Sequence, residues 1–363
     1  MDDRRVLFIT RKWEPAIGGM ETYCVKVVER LKAHHAVDVI ALSGRDDGHT
    51  PTMFGLLLFP FTVLRRWFGL ARRPDIVHLG DLAIWPLALL QSVLAPNAKI
   101  AISAHGTDIS YALRSTSRGR LYRRYQELGA SWLSDASIIA NSDATADACR
   151  AIGWQNVSIV PLATDMVGEA DPAFDRNTIL FAGRIIPMKG LCWFIENVLA
   201  LLPSQTRVAV AGIATDPDEA RIIAHDQVDF LGPLDRSQLA KRYSSALCVV
   251  LPNIERPTGE FEGFGLVACE AAACGGVVLA SDHGGLSSAV VDGQTGFLLP
   301  QGDAKAWAQR IEEVAAWDDR ERVQFLSTAQ KVARRQFNWS RVATETSASY
   351  SVAQSASSHG ANV

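Results

Sequence analysis

Apolar positions along the chain fall into short runs that alternate with longer stretches of helical spacing. Val6–Thr10 combines β-branched and aromatic residues between charged flanks, which reads as a buried strand. Pro15, Gly18 and Gly19 interrupt the pattern as a loop, and from Met20 the apolar residues Val25, Val28 and Leu31 recur at helical spacing. Further strands are predicted at 37–42, 75–79, 99–104 and 137–140, with a helix over 82–94. The pattern then restarts with a strand at 178–182, a loop at 183–189 and a helix over 190–201. Strands at 207–211, 228–231, 247–251 and 277–280 continue it. Strands alternating with helices imply parallel, doubly wound sheets. Gly168–Asp175, polar and carrying Pro172, reads as the linker between two similar α/β units. The expected domains are therefore 1–168 and 169–335, followed by a C-terminal helix over 336–350 and a disordered tail over 351–363.

One segment fits this scheme poorly. Met53–Leu64 is an almost unbroken apolar run, followed by Arg65, Arg66, Trp67 and Phe68. It is too short to span a bilayer. A helix lying in a membrane interface and a core helix whose arginines reach solvent are both open, because Gly55 and Pro60 disturb any clean amphipathic stripe.

Composition narrows the function classes. The 363 residues are 48% apolar and 21% charged, as in a soluble globular protein, which excludes disordered, collagen-like and polytopic membrane chains. Lys plus Arg number 36 against 39 Asp plus Glu, so no general attraction to nucleic acid is expected. The six cysteines are scattered and form no CxxC, which favours buried thiols over a zinc site or a disulfide framework. The short apolar run after Met1–Arg5 lacks the features of a signal peptide, so a cytoplasmic location is expected.

The strongest chemical signal is Glu262-Gly-Phe-Gly-Leu-Val-Ala-Cys-Glu270. A helix beginning near Gly265 would leave the N–H groups of Gly263 and Phe264 at a positive terminus, which favours an anion such as phosphate. Glu262 would then stand at the mouth of that site and Glu270 inside the helix, both able to accept hydroxyl hydrogen bonds. The competing reading is a surface loop ahead of a small-residue packing helix. Arg184 and Lys189 share a short loop at the C-terminal end of a predicted strand, where parallel sheets bind ligands and where cations can grip a diphosphate. Two solvated surface cations are the alternative. His105, with Gly106 and Asp108, ends another strand, and Gly18 and Gly19 leave backbone bare before a helix. Asp216-Pro-Asp218 matches an acidic metal-binding string but lies in a polar turn.

In order, Gly18-Gly19-Met-Glu21, His105-Gly-Thr-Asp108, Phe181-Ala-Gly-Arg184 with Lys189-Gly190, Glu262–Glu270 and Gly293-Gln-Thr-Gly296-Phe297 resemble the motifs of glycosyltransferase family 4. That resemblance implies a GT-B fold: two Rossmann-like doubly wound α/β domains facing a cleft, with the C-terminal helix crossing back to the first. It implies a retaining, metal-independent transferase that moves a sugar from a nucleoside-diphosphate-sugar donor to an acceptor hydroxyl, with no resident cofactor. By the same resemblance, His105 and Glu262 are the catalytic candidates. Gly18, Gly19, Arg184, Lys189, Gly263, Phe264, Gly265 and Glu270 bind the donor. Asp108, Arg120 and Arg124 belong to the acceptor side, where arginines crowd after His105 and could hold a lipid diphosphate or form a solvated helix face. The expected partners are the nucleotide sugar, a glycan or lipid-linked acceptor, and the inner face of a membrane, with no nucleic acid. A nucleotide-sugar epimerase, a phosphorylase and a non-catalytic two-lobed binding protein are the rival readings.

Overall fold

The computed structural model describes residues 4–16, 18–45, 48–168 and 174–351. The chain forms two compact units: residues up to Leu162 with those from Trp339 onward, and Ala163–Asn338. The predicted linker falls mainly on 169–173 and the predicted tail on 352–363, outside the described residues.

The first unit is a parallel sheet of β1 (Arg5–Thr10), β2 (Ala36–Ala41), β3 (Ile76–Leu79), β4 (Lys99–Ala104), β5 (Ser137–Ala140) and β6 (Val157–Ile159), in the order β2-β1-β3-β4-β5-β6. Val6 pairs with Val37 on one side and Ile76 on the other, so β1 is central and its apolar run is buried on both faces. The flanking helices are α1 (Gly19–Leu31), α2 (Met53–Phe68), α3 (Ser117–Trp132) and α4 (Asp143–Ile152). β6 escapes prediction because it is a three-residue edge strand, half exposed along its length. The predicted helix over 82–94 is two pieces, a tight turn at Leu82–Ala88 and a helix at Leu89–Leu94. Pro86 lies within the first piece and has no N–H to donate.

The second unit repeats the plan with β7 (Asp175–Ala182), β8 (Arg207–Ala211), β9 (Val228–Gly232), β10 (Ala246–Leu251), β11 (Val278–Ser281) and β12 (Gly296–Leu299). Their order is β12-β11-β10-β7-β8-β9, all parallel. The helices α5 (Arg236–Ser245), α6 (Leu266–Ala273), α7 (Ala304–Ala316) and α8 (Asp319–Gln336) flank it. Trp307 of α7 is fully buried among Phe181, Phe194 and Leu279, and its indole N–H donates to the Pro300 carbonyl at 3.1 Å. The predicted helix over 190–201 is present but widens in its middle, at Phe194–Val198. After Asn338 the final helix, α9 (Trp339–Ser349), belongs to the first unit, where it packs along α1.

Each sheet reverses its build direction once: between β1 and β3 in the first unit, and between β7 and β10 in the second. At such a point the loops leaving adjacent strands part to opposite sides and open a crevice at the C-terminal strand ends. Gly18 and Gly19 follow β1 at the first of these places, and Arg184, Lys189 and Glu262 follow β7 and β10 at the second.

Candidate functional site

In the second unit, β7 ends at Ala182 and hands the chain to Gly183, Arg184 and Lys189, while neighbouring β10 ends at Leu251 and leads into Asn253 and Glu262. The two loops interlock. A Cβ on Gly190 would lie 2.0 Å from the Pro252 carbonyl oxygen, and the Ile254 N–H donates to the Met188 carbonyl at 3.1 Å. This contact brings the Lys189 ammonium onto the Glu262 carboxylate as an ion pair with both side chains mostly covered. The Asn253 side-chain amide also donates to Glu262 Oε2, at 3.5 Å. Burial pushes the Glu262 carboxyl upward, but Lys189, aided by Arg184 and Asn253, outweighs it and holds the group below the usual carboxylate range. Glu262 is therefore ionised at neutral pH. Arg184 stays exposed beside it.

Helix α6 begins at Leu266, one residue beyond Gly265, whose positive φ of 94° stops the helix from starting earlier. The sequence expectation for Gly263 and Phe264 changes accordingly. Phe264 is buried and packs edge-on against Phe337, so the donors of the open terminus are the N–H groups of the first turn after Gly265. No side chain caps that turn among the described residues, and it carries no acidic residue. Gly263–Gly265 is held down by the loop after β11: the Gly285 N–H donates to the Glu262 carbonyl at 2.7 Å, and a Cβ on Gly285 would lie 2.2 Å from the Gly263 carbonyl oxygen.

Glu270 sits inside α6, where Oε2 accepts from the Tyr243 hydroxyl at 3.3 Å. Burial raises its carboxyl above the ordinary value, against the opposing pull of Arg236 and Tyr243. Arg236 pairs with Asp165 at the rim of a pocket of about 490 Å³, also lined by Met166, Ser237 and Lys241. Sequence reasoning missed Asn253, Tyr243 and Arg236, because nothing in their local pattern marks a partner far away in the chain.

In the first unit, β4 ends at Ala104 and places His105 against the end of β3: the ring Nε2 lies 2.9 Å from the Gly80 carbonyl oxygen. A carbonyl only accepts, so in the neutral imidazole the proton is on Nε2 and Nδ1 carries the lone pair. Nδ1 is buried with no hydrogen-bond partner among the described residues. Asp108 is buried, and its two carboxylate oxygens accept the backbone N–H groups of His105, at 2.8 Å, and Leu82, at 3.2 Å. It fixes the turn that carries His105, rather than facing solvent as a ligand for an acceptor. Gly18 has extended backbone, which any residue adopts, and a Cβ there would lie 2.4 Å from the end of the Glu21 side chain, which pairs with Lys12 at 3.2 Å. Gly19 opens α1. Arg120 turns two donors back on Ser115 and Ser117, while Arg124 is exposed on α3. Asp216 caps the short helix at Pro217–Ala220 by accepting the N–H groups of Asp218 and Glu219. Among the described residues no three His, Cys, Asp or Glu side chains gather as a metal site would need.

Two Rossmann-like parallel sheets, each with glycine-bearing loops at its point of reversal, place the chain in the GT-B class of α/β folds. Residues 17–166 match the family model described as Glycosyltransferase Family 4, and residues 176–316 match Glycosyl transferases group 1. Between them these two matches extend over both units, and each unit resembles its counterpart in the family 4 glycosyltransferases. The chain is 32% identical over 248 residues to a D-inositol 3-phosphate glycosyltransferase of Jonesia denitrificans, covering 59% of this chain and 56% of that protein. A protein of the same name from Mycolicibacterium smegmatis is 38% identical over 191 residues, covering 50% of this chain and 41% of the other. The chain thus spans about half the length of the curated relatives it matches. Among solved structures, the sucrose-phosphate synthase of Thermosynechococcus elongatus superposes with a TM-score of 0.73 at 21% identity, covering 96% of this chain and 98% of the other. Anabaena Alr3699/HepE in complex with UDP and glucose gives 0.72 at 19% identity, covering 96% and 100%.

Proposed function

We propose that the chain is a retaining glycosyltransferase that moves a sugar from a nucleoside-diphosphate-sugar donor to an acceptor hydroxyl without an obligatory metal or resident cofactor. The observation that carries this reading is the cluster at the ends of β7 and β10: Arg184, Lys189 paired with Glu262, and the uncapped first turn of α6. Two cations and a helix terminus stabilise the charge that builds on a departing diphosphate. Lys189 supplies a point charge, Arg184 reaches two oxygens at once, and Glu262 orients Lys189 while accepting from donor-sugar hydroxyls. Glu270, half-buried beside Tyr243, accepts from the ribose hydroxyls. Within the first unit, Gly18 and Gly19 offer bare backbone to a phosphate, and His105 offers its Nδ1 lone pair to a sugar hydroxyl. In the transfer, the bond from the anomeric carbon to the phosphate oxygen breaks and the bond to the acceptor oxygen forms on the same face. The acceptor proton passes to the departing phosphate oxygen, so no separate base is required.

The Anabaena Alr3699/HepE structures in complex with UDP and glucose and with UDP-glucose make UDP the first nucleotide to test. We read the acceptor as lipid-linked and presented at the inner face of a membrane, because α2 turns a broad apolar face outward. The names of the sequence relatives favour a second reading, a soluble phosphorylated polyol as acceptor. The test is a thermal-shift screen with UDP, GDP, ADP, dTDP and their sugar conjugates, with and without EDTA. One base family should raise Tm whether or not EDTA is present, and Arg184→Ala, an exposed substitution, should abolish the rise. A shift that EDTA removes would overturn metal independence, and the absence of any shift would overturn the transferase reading.

A further inference from the structure

Helix α2 inverts the usual logic of a helix on a sheet. Its inner side is narrow: Phe59, Val63 and Trp67, spaced four apart, are buried and seat it on the first unit. The outer side should then be polar. Instead it carries Met53, Phe54, Leu57, Phe61, Leu64 and Phe68, and five of these are 69–73% exposed. In its 16 residues the polar side chains are Thr62, Arg65 and Arg66, and Thr62 turns its hydroxyl back to the Leu58 carbonyl at 3.4 Å. A contiguous apolar face of this size on a soluble protein marks a docking surface.

Charge identifies what docks there. From Pro51 to Pro74 the chain contains Arg65, Arg66, Arg72 and Arg73 and not one Asp or Glu. All four arginines are exposed, and none has a carboxylate partner among the described residues. A second copy of the chain seated on this face would bring the same cations and no carboxylate to meet them. An anionic surface with an apolar interior meets both requirements. No helix among the described residues is long and apolar enough to cross a membrane, and α2, about 24 Å long at 1.5 Å per residue, has the dimensions of one lying along its surface. Helix α3 extends the argument. The connections β2→β3, β3→β4 and β4→β5 all run the same way across the sheet, so right-handed crossovers put α2 and α3 on one side of it. There α3 exposes Leu121 and Trp132 beside Arg120 and Arg124.

We infer that α2 beds its apolar face in the headgroup region of an anionic phospholipid bilayer, with the arginines at its C-terminal end drawn to lipid phosphates. This rests on the reading of the acceptor as lipid-linked and names the surface on which that acceptor would be met.

The test is flotation of the full chain with vesicles of phosphatidylcholine alone and of phosphatidylcholine with phosphatidylglycerol, at low and high salt. The wild type should float with the phosphatidylglycerol vesicles and bind the neutral ones at least tenfold more weakly. Leu57→Ser combined with Phe61→Ser should abolish flotation. Arg65→Gln combined with Arg66→Gln should weaken it severalfold and flatten its salt dependence. Every substituted side chain is exposed, and unchanged melting curves would show that the variants fold. Equal flotation of all three proteins, or none by the wild type, overturns the inference. So does a wild-type dimer in sedimentation that Phe61→Ser dissolves, since a second copy would then cover the face. The nucleotide thermal-shift screen is run on the same preparations without lipid. Absence of a shift with every nucleotide of the screen while flotation is intact overturns the transferase reading alone, and the reverse overturns the lipid surface alone.

Discussion

The Lys189 ammonium and the Glu262 carboxylate, far apart in sequence, pair across the ends of β7 and β10, the two strands between which the second sheet reverses direction. The pair is mostly covered, so each charge depends on the other. Removing one partner strands the survivor in a poorly solvated loop, whereas removing both leaves no uncompensated charge. In a double-mutant cycle, Lys189→Met and Glu262→Gln should each destabilise the protein, and the double variant should be more stable than the sum of the two by about 1–3 kcal/mol. Denaturant unfolding of the four proteins measures this, and additivity would mean the pair carries no coupling. With a nucleotide-sugar donor, both single variants should lose roughly a hundredfold or more in kcat.

Glu270 offers a prediction of opposite sign. Its carboxyl is raised in the folded state by burial, so the fold favours the protonated form. The stability that it contributes is fully present below its ordinary value of 4.5 and is lost as pH rises through the folded value. Glu270→Gln, which mimics the protonated acid, should therefore raise Tm at neutral pH and make little difference in acid. Melting curves of both proteins across that range check the sign. A gain that is larger in acid would contradict the buried-carboxyl account.

His78 should govern part of the response to acid. It is fully buried, with Nδ1 2.7 Å from the Tyr350 hydroxyl and Nε2 2.8 Å from the Ser103 hydroxyl. Burial, with His105 adding to it, pushes its pKa down to about 3 from an ordinary 6.5. The folded form thus stays neutral where the unfolded chain takes up a proton. Stability from this group is present above 6.5 and falls toward 3 by about 1.4 kcal/mol per pH unit. Equilibrium unfolding of wild type and His78→Gln over this window should show a shallower slope for the variant, and parallel slopes would contradict the prediction.

Gly285 tests the floor of the site. Its φ of −75° suits any residue, so only space demands glycine there. A Cβ would press on the Gly263 carbonyl oxygen at 2.2 Å and displace the backbone leading into α6. Gly285→Ala should cost about 1–3 kcal/mol in stability and weaken nucleotide binding beyond that loss, as measured by calorimetry on the folded variant. Unchanged affinity would mean that the Gly263–Gly265 turn does not contact the ligand.

Much of this protein is legible along the chain. Runs such as Val6–Thr10 and Leu247–Leu251 are apolar on both faces because central parallel strands are covered on both sides, and that is a local pattern. The glycines flanking Phe264, the loop cations and His105 stand out because their spacing is short and their chemistry unusual. The tertiary structure alone decided the rest. It started α6 after Gly265 and buried Phe264, because the loop after β11 claims the space around Gly263. It turned Asp108 inward, because two backbone N–H groups far apart in the sequence needed one acceptor. It brought Asn253 to Glu262 and Tyr243 to Glu270, pairs that no local spacing encodes. It also decided which side of α2 is covered, where the sequence left a core helix and an interfacial helix equally open. Which of its apolar residues are covered depends on how the rest of the first unit packs around it, and that packing buries Phe59, Val63 and Trp67 while Met53, Phe54, Leu57, Phe61 and Phe68 stay exposed.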